Sequence, residues 1–232
     1  MKPFLPVLVY QKIGFPPKHS RLKNEWTSAP KLAKMLAWLT QQKYTFITPL
    51  DLQKKLPVRP ILLVFAGGYE SVYTDVFPLL KKYRARATVC FPQEPIGTYN
   101  QWQDPYQEPW QNLLTPEQLD VLRKSNLVQF GTLGLTGENL LLADTARARA
   151  ALEESVYRFK KLHKLDVCAV CFWPGTKDKQ LARTQEICAG LKLPVITGKW
   201  GVNALSETHF LRVLRPGLIS QSYLYFSRQL QA

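Results

Sequence analysis

The residues best placed for chemistry lie in the hexapeptide Val64-Phe65-Ala66-Gly67-Gly68-Tyr69. An apolar run from Ile61 to Phe65 enters a glycine turn there. That is the pattern of a buried strand ending in a loop, where strand–helix folds position their catalytic groups. The loop tip is Ala66-Gly67, which offers no acid, base or ligand atom. The chain has three histidines. His19 falls in a Pro/Lys-rich loop, His163 near the end of a long helix, and His209 just before Phe210-Leu211-Arg212-Val213. His163 fits a solvated position complementing the helix dipole. His209 is a candidate for reaching a cleft, although no nucleophile or carboxylate stands at a recognisable spacing from it. Glu70, Asp75 and Glu138 are the remaining polar candidates, and loop carboxylates are ordinarily just solvated.

Cys168-x-x-Cys171 has the spacing of a metal or redox pair, but it sits in the apolar run 167–172. Residues three apart on a regular strand face opposite sides, so the two sulfurs are expected to diverge as buried structural cysteines. Four cysteines make no disulfide framework in a chain of 232 residues. No metal site and no cofactor are expected.

The elements that must position these residues alternate. Strands are predicted at Val7–Tyr10, Thr45–Ile47, Ile61–Phe65, Ala87–Phe91, Val128–Phe130, Val167–Phe172 and Val195–Thr197. Helices are predicted over 30–42, 73–83, from Thr115-Pro116-Glu117 onward, over 144–161 and over 183–191. Such alternation implies parallel strands covered by helices. The segment from Gln93 to Asn112 interrupts it with Pro95, Pro105, Pro109, Tyr99, Trp102, Tyr106 and Trp110. Loops of that length are often functional, and these aromatics could stack on sugars or pin the loop to the barrel. No internal repeat or linker breaks the chain, so one domain over 1–232 is expected.

Thirty-one basic against 17 acidic residues leave a net charge of +14. The excess favours polyanions such as phospholipid headgroups or acidic glycans. No run of five or more basic residues and no reader motif marks a nucleic-acid binder. Prolines 3 and 6 interrupt the apolar N-terminus, which has neither a spanning segment nor a signal-peptide core. A cytoplasmic location, peripheral on the inner membrane, is the expectation.

The stretch Phe65-Ala66-Gly67-Gly68-Tyr69 resembles the Phe-Asp-Asp-Gly-Tyr motif of the polysaccharide deacetylases of NodB-homology type, particularly those acting on poly-N-acetylglucosamine. Pro6-Val7-Leu8-Val9-Tyr10-Gln11, Phe77-Pro78-Leu79-Leu80, Ala87-Thr88-Val89 and Leu114-Thr115-Pro116-Glu117-Gln118-Leu119 match further pieces of that family in order. The resemblance implies a distorted (β/α)7 barrel and metal-assisted amide hydrolysis, with one aspartate as base and an aspartate plus two histidines as metal ligands. A metal of this kind polarises the acetyl carbonyl and activates water. Carried over, the base falls on Ala66, the metal aspartate on Gly67, and the histidines of a Ser-His-Thr-x-x-His segment on Leu133 and Gly137. The first-strand histidine becomes Gln11, and Trp173-Pro174-Gly175-Thr176 resembles a further family segment.

None of those four positions can coordinate a metal. The expectation is therefore a catalytically retired deacetylase fold, a glycan- or protein-binding component of surface polysaccharide or lipopolysaccharide synthesis. Tyr69, Trp173, Trp102 and Trp110 are its expected contact residues. The competing expectations are an active N-deacetylase using His209, Glu138 or Glu70, and a basic membrane-surface or nucleic-acid binder.

Overall fold

The computed structural model describes residues 4–173, 178–201 and 203–214. Eight parallel strands form the main sheet: β1 (Val7–Tyr10), β2 (Thr45–Ile47), β3 (Pro60–Ala66), β4 (Ala87–Phe91), β5 (Val128–Thr132), β6 (Val167–Cys171), β7 (Val195–Trp200) and β8 (Phe210–Val213). Seven of them run in the order β8-β7-β6-β5-β4-β3-β1. Leu214 closes the ring: its amide donates to Val7 O at 2.7 Å, and its carbonyl accepts from Val9 N at 2.8 Å. The seven-stranded barrel is thus as expected, but its membership differs. Thr45–Ile47 pairs beside the start of β3, outside the ring, and Phe210–Val213 takes the seventh place.

Helices cover the ring. In α1 (Ala29–Gln41), Leu32, Leu36 and Leu39 recur at helical spacing and are all buried. The others are α2 (Phe77–Tyr83), α3 (Pro116–Lys124), α4 (Thr145–His163) and α5 (Asp178–Ile187). Thr115 and Gln118 form a reciprocal capping box on α3, and the Asp144 carboxylate accepts from Arg147 N at 2.8 Å to start α4. The helix expected from residue 73 instead opens with a wide π-turn, Val72–Val76, in which Phe77 N donates to Val72 O. Pro78, with no amide hydrogen, lies at the point where this turn hands over to α2. The last helix runs 178–187 rather than 183–191.

Side chains from alternate positions divide into an outer and an inner layer. Leu8, Leu63, Phe65, Val89 and Phe130 pack outward beneath the helices. Val7, Val9, Leu62, Val64, Cys90, Ile196, Leu211 and Val213 fill the barrel interior. Strand β6 breaks the alternation. Phe130 pairs with Val167 but Thr132 pairs with Val170, so three residues of β6 oppose two of β5. This bulge shifts the phase, and Cys168, Ala169 and Cys171 all join the interior while Val170 faces the helices. The expected divergence of Cys168 and Cys171 is therefore corrected. Both are free, buried thiols near Cys90, and burial raises Cys168 to about 12 and Cys90 well above the usual thiol range. Protonated thiols of this kind are inert structural groups.

Candidate functional site: an aromatic plug at the barrel mouth

The C-terminal ends of β3 to β6 converge on one mouth. Ala66 pairs with Cys90 and Cys90 with Gly131, while Gly67 N donates to Cys90 O at 2.8 Å. Ala66 is fully buried and shares the interior cluster with Leu133, which is 2 % exposed. The first carried-over position and the third thus meet as hydrocarbon at the top of the barrel.

The other two positions are bare backbone with rings laid against them. Gly67 has φ +116°, and a Cβ built there would lie 2.3 Å from the Tyr69 ring. Gly137 has φ +86°, and its Cβ would lie 2.6 Å from the Trp102 ring. Tyr69 and Trp102 are themselves neighbours, with centroids 6.3 Å apart, and Trp102 continues to Trp173 at 5.6 Å. The Trp173 indole N–H donates to Gly137 O at 3.0 Å, tying the cluster to the loop after β5. Tyr69, Trp102 and Trp173 thus form a plug over the four carried-over positions. These residues do not fit the divalent metal that the resemblance implies: they offer it no donor, and indole and phenol rings occupy the space. Among the described residues, no group of three His, Cys, Asp or Glu side chains is placed to hold a metal ion. Pro174, Gly175 and Thr176 lie outside the described residues.

The loop that supplies Trp102 is locked down by a buried ion cluster. Glu108 is fully buried; it accepts from Ser20 Oγ at 2.5 Å, Trp26 Nε1 at 2.9 Å and Leu22 N at 3.3 Å, and pairs with Lys12 Nζ at 2.9 Å. Lys12 is 1 % exposed and also lies 3.4 Å from Glu25. Burial pushes the Glu108 carboxyl up, but Lys12, Ser20 and Trp26 outweigh it and hold the group below the ordinary 4.5. The Tyr69 phenol lies close by, and burial, then Glu25 and Glu108, push it well above its usual range. Sequence reasoning missed this cluster. Positions 12, 25 and 108 have no motif spacing, and only the folded chain brings them together.

Two clefts flank the plug. One, of about 300 Å³, has Lys12, Trp26, Glu70, Trp110, Gln111 and Asn112 among its walls. The other, of about 410 Å³, is lined by Glu94, Trp102, Thr136 and Glu138. Trp110 is 43 % exposed, stacks on Tyr99 at 6.5 Å, and donates its indole N–H to Gln103 O at 2.7 Å. Tyr69 is buried and fills space rather than presenting a face. Glu138 stands at the rim, 3.5 Å from Arg147.

Two histidine expectations are corrected. The carbonyl of His209 accepts from Val195 N, at the N-terminal ends of β7 and β8, which places His209 at the opposite end of the barrel from Ala66. His163 is half-buried beside Phe159, with the Gln93 amide 3.3 Å from its Nε2. Burial lowers its pKa, so it is a poor cation for the helix dipole.

The profile of the family described as "Polysaccharide deacetylase" matches residues 53–190, more than half of the chain. Among curated proteins, YxkH of Bacillus subtilis (strain 168) is 31% identical over 99 residues. That match covers 40% of this chain and only 33% of the relative, about a third of its length. Among solved structures, BC0361, a polysaccharide deacetylase from Bacillus cereus, superposes with a TM-score of 0.76 at 16% identity, covering 99% of this chain and 69% of that one. IcaB from Ammonifex degensii gives 0.71 at 20% identity, covering 91% of each chain. Likeness at that identity speaks for the barrel alone, and the profile speaks for descent. The chain belongs to the polysaccharide deacetylase family.

Proposed function

We propose that this chain is a family member without hydrolytic activity, which works by holding a glycan, or a protein of polysaccharide assembly, in the clefts beside its aromatic plug. The observation that carries this reading is the state of four positions. Ala66, Gly67, Leu133 and Gly137 gather at the barrel mouth with no donor atom among them, and Tyr69 and Trp102 lie where two of their side chains would project. A hydrolase of this type needs a base and a Lewis acid, and a catalytic zinc typically takes three protein ligands. Drift at one position would leave a partial set. Here the base and all three ligands are gone together, and bulky rings replace them. The net charge of +14 supports a place beside an anionic surface, and no helix of the described residues is long and apolar enough to cross a membrane.

Protein purified without chelator is expected to contain no stoichiometric zinc by elemental analysis and to release no acetate from N-acetylglucosamine oligomers. It is expected to bind a glycan or a synthase component in titration. Acetate release that disappears in Glu70→Ala or Glu138→Ala would replace this reading with a hydrolase that uses relocated carboxylates.

A further inference from the structure

Glu70 is an oddly placed anion. Its carboxylate accepts from Asn112 Nδ2 and from Gln118 Nε2, each at 3.0 Å. Those bonds, Asn112 first, hold it below its ordinary pKa against a small opposing push from burial, so it stays ionised. Two neutral amides use about half of a carboxylate's roughly four lone-pair sites. No ion pair of Glu70 is found among the described residues, in a protein with 31 basic side chains. Lys12, the one cation among the described residues lining the same cleft, is already engaged by Glu25 and Glu108. Among the charged residues lining this cleft, Glu70 is thus the one whose charge no ion pair of the described residues meets. A fixed carboxylate with open acceptor sites is a preorganised receptor for a cationic donor.

The rest of the cleft suits a sugar. Trp26 and Trp110 supply indole surfaces, and Tyr99 backs the Trp110 ring. Gln111 and Asn112 add amides near Glu70 that can meet ring hydroxyls. The volume of about 300 Å³ lies at the lower end of the ~300–1,000 Å³ range of small-ligand sites. Indole faces also attract cations directly.

We infer that this cleft is a subsite for a cationic amino sugar, a hexosamine unit lacking its N-acyl group, whose ammonium is received by Glu70 while its ring lies against Trp110. The inference rests on the reading that the clefts bind glycan, and it names the charge state of the ligand.

The test compares a glucosamine tetramer, an N-acetylglucosamine tetramer and a lysine-rich peptide by calorimetric titration against wild type, Glu70→Gln and Trp110→Ala. Glucosamine tetramer is expected to bind roughly tenfold more tightly than its acetylated counterpart, the worth of one charge-assisted hydrogen bond. Glu70→Gln should erase that preference while keeping residual binding. Trp110→Ala, with an unchanged circular-dichroism spectrum and melting temperature as the check that the loop is kept, should weaken both saccharides. Equal affinities, a preference for the acetylated chain, a preference that survives Glu70→Gln, or tighter binding of the peptide would each overturn the inference and leave the glycan reading standing. Failure of both saccharides to bind would overturn the glycan reading as well.

Discussion

Lys12 and Glu108 show how much a single buried pair controls here. Glu108 sits in the Pro/aromatic loop and Lys12 just past the first ring strand, so their contact fastens that loop across the mouth. Breaking a buried pair typically costs ~3–5 kcal/mol, and loss of Glu108 leaves the buried Lys12 with only the more distant Glu25, which sets the cost toward the lower end of that range. Glu108→Gln is expected to lose stability of that order in urea denaturation. The pH dependence has a definite sign. Because the folded pKa of Glu108 lies below the ordinary 4.5, its contribution is fully present above that value and is lost as pH falls through the lower folded value. The variant should therefore show a flatter decline in stability on the acid side than wild type. This cluster was invisible in the sequence, whereas the residue types at 66, 67, 133 and 137, none with a donor side chain, could be read directly. What the sequence could not show was that Tyr69 and Trp102 fill the space, since ring placement depends on how the loop packs.

Most of the ring was legible at the level of elements, because its strands are apolar runs bounded by turns. Two expectations failed for different reasons. The alternation rule presumes an unbroken ladder, and the bulge in β6 violates it, bringing Cys168 and Cys171 to the same side. Phe210-Leu211-Arg212-Val213 is short and carries a charge, a weak strand signal on its own. Only its pairing with Val195 and Ile196, and that of Leu214 with β1, makes it a barrel strand. The bulge also explains Gly131. A Cβ there would lie 2.5 Å from Cys90 Sγ and 2.9 Å from Ala169 O, so this interior layer closes only around a bare backbone. Gly131→Ala is expected to cost about 1–3 kcal/mol in thermal denaturation, as overpacking does. Combining it with Cys90→Ala should recover part of the loss, since the carbonyl contact remains.

A shared fold does not by itself carry function, and at the scale of the whole molecule function is decided by the groups at the barrel mouth. Its framework superposes on solved structures across more than nine-tenths of the chain. The mapping of the four mouth positions can be tested directly. Ala66→Asp, Gly67→Asp, Leu133→His and Gly137→His together should bind no stoichiometric zinc, because two of the new side chains meet rings and both glycines hold positive φ. Such strained backbone costs of order 1–3 kcal/mol per residue. Adding Tyr69→Ala and Trp102→Ala should make room and restore zinc uptake by elemental analysis. Uptake by the four-residue variant alone would mean that the plug yields freely.

The seam between Leu214 and the first strand of the ring has a bearing on how the molecule is made. Val7 and Val9 emerge from the ribosome about two hundred residues before Leu214, their partner across the seam. Until that partner arrives, the nascent sheet has a raw edge and a wet interior, the condition in which strands recruit strangers. The outer helices can dock as they appear, but the inner wall has to wait. Closure of the barrel is therefore the step that this seam leaves until last.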